Sequence, residues 1–126
     1  MVTKDGQPVE CFLTPGSFSD VRALKTFQVA GPNGRHISAD KAYNDDEIED
    51  VLVEAADIQL SPIRKKNSTR AVPPSITSVQ HDHRKMIETV GSLSERMLPK
   101  TIHAVTAEGF ELKVFLFVLA YSLNCL

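Results

Sequence analysis

The chain has 126 residues and a net charge of −2, with 42% hydrophobic residues, no Trp and six Phe. That length suits one domain with an aliphatic core, and the charge gives no overall basic signature of nucleic-acid binding. Two cysteines, Cys11 and Cys125, stand too far apart in sequence to suggest a disulfide scaffold or zinc knuckle, and fit a reducing cytoplasm.

The opening MVTKDGQPVE is polar and contains no secretory h-region. Residues 2–14 predict a hairpin, with Asp5-Gly6 at its turn and PVECFLT as its second strand. Residues 17–28 predict a helix: Ser17 or Ser19 caps it, and Val21, Leu24 and Phe27 share a face. GPNGR is a loop. HISA, residues 36–39, is a short buried strand that ends at Asp40.

NDDEIEDVLVEAA is the next helix. Asn44 or Asp45 caps it, and its crowded acidic first turn suits the helix dipole. IQLSPI is another strand. IRKKNSTRAVPPS, basic and then proline-rich, has no apolar period and is a loop. A long helix runs from about residue 76 to 97, ended by Pro99, and a last one from 107 to about 123. The apolar stretch VFLFVLAYSLNCL is too short for a membrane span and is expected to be a buried helix. The order strand-strand-helix-strand-helix-strand-helix-helix makes a mixed α/β layer protein, antiparallel at first, then with crossover helices.

Three features could carry chemistry. Asp40 follows a strand's carboxyl end, where open α/β sheets place ligands, although position alone favours an ordinary turn or helix cap. In HDHRKMIETVGSLSERM, Arg84 and Glu88 share a helix face, with His81 a turn before and Glu95 two turns beyond Glu88. They read either as a solvated ion pair or as a carboxylate aimed at a site, with Arg84 holding it or contacting phosphate. Arg64, Lys65, Lys66 and Arg70 put four positive charges in seven residues, an ordinary basic loop or a set of phosphate contacts. His81 and His83 are two apart and make a poor zinc site, and His36 and His103 have no visible partner. No nucleophile elbow, P-loop or dinucleotide fingerprint occurs.

Taken together, GQPVECFLTPGSFSDVRAL, ADKAYND, RKKNS, HDHRKMIETVGSLSERMLPK and IHAVTAEGFELKVFLFVLAYSLN resemble, in order, the second half of an insertion-sequence DDE transposase catalytic domain. The resemblance covers essentially residues 1–126. It implies an α/β, ribonuclease-H-like mixed sheet with flanking helices, truncated at the N-terminus with its first strand missing.

It also implies that Asp40, in Asp40-Lys41-Ala42-Tyr43, is the second catalytic aspartate, and that Glu88 is the catalytic glutamate of a Tyr-x2-Arg-x3-Glu-x6-Lys signature. Arg84 and Glu88 match that signature, whereas His81 replaces the tyrosine and Glu95 the lysine. Arg84 and Lys41 would be supporting residues, and Arg64, Lys65, Lys66 and Arg70 would contact DNA.

In this chemistry two Mg2+ ions, or Mn2+ in their place, sit roughly 3.5–4 Å apart and need converging carboxylates. Asp40 and Glu88 would be two of those ligands. The family's first aspartate lies upstream of the hairpin, and Asp5, in a turn, is no substitute. The expectation is therefore a transposase fragment with weak metal binding, negligible strand transfer alone, an exposed sheet edge, and self-association or pairing with full-length transposase. A non-catalytic remnant that binds DNA is the competing reading, and an unrelated small α/β interaction domain a third.

Overall fold

The computed structural model describes residues 1–26 and 33–126. Among them the chain is a mixed α/β protein, mostly helical, with four helices and a two-stranded parallel sheet. It divides into two compact units, one of residues 14–84 and one of residues 1–13 with 85–126.

The 14–84 unit holds α1 (Asp20–Thr26), β1 (His36–Ala39), α2 (Asp46–Ala56), β2 (Gln59–Pro62) and the first part of α3 (Pro74–Met97). At the start of α1 the Ser19 carbonyl accepts from the Ala23 amide, and the Ser19 hydroxyl from Arg22. Phe27, placed on this helix by its periodicity, lies outside the described residues, as do Gly31 and Pro32 of the following loop.

β1 and β2 pair in parallel, His36 opposite Gln59 through Ala39 opposite Pro62. Parallel neighbours need a long crossover, and α2 supplies it. Asp45 caps α2, its carboxylate accepting from the amides of Glu47 and Ile48. At the other end Asp57 adopts a left-handed conformation (φ 52°), and the amide of Ile58 returns to the Leu52 carbonyl. That closure turns the chain directly into β2.

Side-chain alternation gives this sheet two unlike faces. Ile37, Ala39, Leu60 and Pro62 share one; Leu60 and Pro62 are buried, together with Ile58 and with Ile48 of α2. His36, Ser38, Gln59 and Ser61 share the other. Parallel sheets are usually apolar on both faces, so the polar face is what sets this one apart. It also means that HISA is half-buried, with His36 exposed, rather than a buried strand.

The second unit holds residues 1–13, the rest of α3 and α4 (Ala107–Asn124). The hairpin expected over residues 2–14 shrinks to a turn closed by one bridge, Val2 to Pro8. The Thr3 amide donates to the Gln7 carbonyl and the Gly6 amide to the Thr3 carbonyl. Pro8 has no N–H to extend a ladder, and Val9, Phe12 and Leu13 remain exposed with no strand assigned beyond the bridge. The antiparallel part of the expected mixed sheet is therefore absent among the described residues.

Gly6 has φ +84° and stands against α3: a Cβ there would lie 3.1 Å from both Met86 Sδ and Val90 Cγ2. Thr106 caps α4, its hydroxyl accepting from the Gly109 amide. α4 is apolar around its circumference. Tyr121 is buried, but Phe110, Leu112, Phe115, Leu116, Leu119 and Leu123 are exposed, so the helix is not the buried one expected from its composition. Among the described residues no helix is long and apolar enough to cross a membrane.

Candidate functional site

Asp40 stands one residue beyond β1, exposed, at the carboxyl end of the first strand of the parallel β1–α2–β2 unit. It does two structural jobs there. Its Oδ1 accepts from the Lys41 amide at 2.7 Å, capping a 3-10 turn over Lys41–Tyr43. Its carbonyl accepts from the Tyr43 amide. The capping reading of this aspartate is thus realised in the structure.

The polar face of the sheet is gripped by α3. Gln80, His83 and Arg84 fall at i, i+3 and i+4, one face of a helix. Gln80, only 3% exposed, donates from Nε2 to the carbonyls of Ser61 and Pro62 at the end of β2. His83 Nδ1 lies 2.8 Å from Ser38 Oγ, inside β1. Arg84 Nη1 lies 3.6 Å from Asp40 Oδ1, both side chains nearly half exposed. His36 Nε2 and Ser61 Oγ, 2.7 Å apart, bond across the same face.

Arg84 was expected beside Glu88; the structure adds Asp40 as its partner. Lys41 is exposed next to this carboxylate. Tyr43, partly buried, has its hydroxyl pKa raised, first by desolvation and then by the charges of Asp20 and Asp40. Glu88 is exposed on α3 and belongs to the other unit. His81 and Glu95 are exposed on the same helix.

The basic segment divides by residue type. Arg64 makes a bidentate pair with Glu49, Nη1 to Oε1 and Nη2 to Oε2 both at 2.7 Å, and reaches Asn44 Oδ1 at 3.3 Å. Arg70 spans Asp50, Asp46 and Glu49. Hydrogen bonding to Glu49 pushes the Arg64 pKa further up, and bonding to Asp50 does the same for Arg70. Glu49 is 5% exposed, so this is a carboxylate removed from water and matched by a planar guanidinium. Lys65 and Lys66 stay exposed.

The acidic first half of α2 and the basic loop were legible separately. Their pairing was not, because nothing in the spacing aligns residues 46–50 with residues 64 and 70. The roles of Gln80 and His83 were missed too; the signal was the i, i+3, i+4 polar set on a helix whose apolar residues lie elsewhere.

The carboxylates do not by themselves fit a divalent-metal centre. Among the described residues no three His, Cys, Asp or Glu side chains gather to hold an ion. Asp40 Oδ1 already carries an amide hydrogen and faces a guanidinium. A small octahedral ion needs several hard oxygen ligands, so no metal-dependent step is assigned to this chain. No family model matches the sequence, and no curated protein or solved structure was found similar to it.

Proposed function

We propose that this chain is a portion of a DDE transposase catalytic domain of the ribonuclease-H-like type, and that it engages DNA without cutting it unaided. The observation that carries this reading is the position of Asp40. It lies just past the carboxyl end of the first strand in a parallel strand–helix–strand unit, and a long helix bearing Arg84 and Glu88 follows. An aspartate at a strand end and a glutamate on a late helix, in that order, is the arrangement the motif resemblance implies. Open α/β sheets bind ligands at that end of their strands.

The non-catalytic form of the reading is supported by the surroundings of Asp40, whose Oδ1 accepts from the Lys41 amide and lies 3.6 Å from the Arg84 guanidinium. Among the described residues no three His, Cys, Asp or Glu side chains gather to hold an ion. Mg2+ or Mn2+ would be the family's ion, but its chemistry would need carboxylates from another segment or chain. Full-length transposase is the partner that could supply them, in the prokaryotic cytoplasm where such DNA is found.

The test is to sequence the DNA flanking the coding region of these residues. A reading frame upstream, continuous or shifted, that encodes a strand with an aspartate and a helical DNA-binding domain is the expected result. Flanking DNA with no such coding trace would overturn the assignment.

A further inference from the structure

The basic loop is built in two layers. Lys65, Lys66, Asn67 and Ser68 form a tight turn, closed by the Ser68 amide donating to the Lys65 carbonyl at 3.0 Å. The Ser68 hydroxyl accepts from the Arg70 amide and so fixes the exit of the turn. On either side an arginine ties the turn to α2: Arg64 to Glu49 before it, Arg70 to Asp50, Glu49 and Asp46 after it. Thr69 adds a bond from its hydroxyl to Asp46. Lys65 and Lys66 are left exposed at the tip, on a turn anchored at both flanks.

We infer that this stapled turn is a contact surface for duplex-DNA phosphates, and that Lys65 and Lys66 alone provide its charge. The inference rests on the reading of the chain as DNA-engaging and narrows it. Arg64 and Arg70 act as anchors. Their guanidiniums pair with Glu49 and Asp50 and so neutralise two acids of α2 that would otherwise repel a polyanion. An ammonium on a flexible stem is the point charge suited to a phosphate whose position varies along a duplex. Anchoring lowers the ordering needed on binding.

The number of cations is directly measurable. Binding to B-DNA loses about 0.9 log units of affinity per log unit of salt for each phosphate neutralised. Two lysines therefore give a slope of about −1.8, and four cations about −3.6.

The experiment is fluorescence anisotropy of a labelled duplex with the whole chain over a salt series, repeated with the Lys65→Ala/Lys66→Ala double variant and with Arg70→Gln. The expected result is a slope near −2, loss of salt-dependent binding in the double variant with an unchanged melting curve, and an unchanged slope for folded Arg70→Gln. Binding by the double variant equal to that of the parent, or a parental slope near −3.6 that falls in Arg70→Gln, overturns this inference and leaves DNA engagement standing. No duplex binding by the folded parent chain overturns both.

Discussion

The two units of this chain are stabilised by different physics. In residues 14–84 a small aliphatic centre of Ile48, Ile58, Leu60 and Pro62 is surrounded by directional polar contacts. These are the Arg64–Glu49 pair, the Arg70 fan and the Gln80–His83–Arg84 grip on the strands. Residues 1–13 and 85–126 are marked instead by apolar surface. An apolar cavity of about 180 Å3 opens among Val2, Cys11, Val90, Val114, Phe117 and Tyr121, and α4 leaves large side chains in water. Charged contacts fix geometry and apolar contacts give area without fixing it. The first unit is therefore the one equipped to place a functional side chain.

The largest contrast is expected at Glu49. Glu49→Ala would leave Arg64 with its main partner gone, and breaking a buried pair from one side costs about 3–5 kcal/mol. Urea unfolding should show that loss, and hydrogen exchange should place it in α2 and β2. A loss below about 1 kcal/mol would mean that the pair is surface-like after all.

Next is Gly6→Ala in the second unit. The positive φ and the 3.1 Å approaches to Met86 and Val90 both oppose a methyl group. A destabilisation of at least about 1 kcal/mol, with faster exchange in residues 86–90, is expected. If the melt is unchanged, the turn does not pack on α3 as described.

The two tyrosines give one alkaline probe per unit. Burial raises the pKa of Tyr121, and the Cys125 contact adds to it; desolvation raises Tyr43, with the Asp20 and Asp40 charges adding. A folded pKa above the ordinary value near 10 favours the neutral phenol. Its stabilisation is complete below about pH 10 and is lost as the pH rises through the folded-state pKa values. Tyrosinate absorbance should therefore rise later than for free tyrosine and together with unfolding. Asp40→Asn should shift the Tyr43 component downward and leave the Tyr121 component in place.

The smallest expected effect is chemical. Burial in the cavity pushes the Cys11 thiol pKa up, whereas Cys125 is exposed. Thiol labelling of the native chain should be biphasic, Cys125 first. A single fast phase for two thiols would show the cavity open to solvent.

The sequence conveyed local structure well and long-range partnership poorly. HISA, IQLSPI, the α2 cap at Asp45 and the ends of α3 and α4 were all readable, because period, capping and proline positions are local signals. The N-terminal hairpin was overread: the Asp5-Gly6 turn forms, but past the single Val2–Pro8 bridge only the Val9 and Glu10 amides reach back, both to the Met1 carbonyl, and no strand follows. Asp40 was visible from the strand end alone. The Ser38–His83 contact joins residues 45 apart, and the Arg64–Glu49 pair residues 15 apart across a strand. No single-chain periodicity encodes either. A polar face on a two-stranded parallel sheet also runs against the usual pattern, so nothing in the sequence pointed Gln80 and His83 of α3 at the strands.

The most direct measurement is a plasmid-nicking assay with the purified chain in Mg2+ and in Mn2+, beside Asp40→Asn and Glu88→Gln. A chain that holds Asp40 at the sheet mouth without completing a metal centre should leave supercoiled DNA intact in both ions, with all three proteins alike. Metal-dependent nicking by the parent chain that is lost in both variants would contradict this, and would show that these residues complete a catalytic centre by themselves.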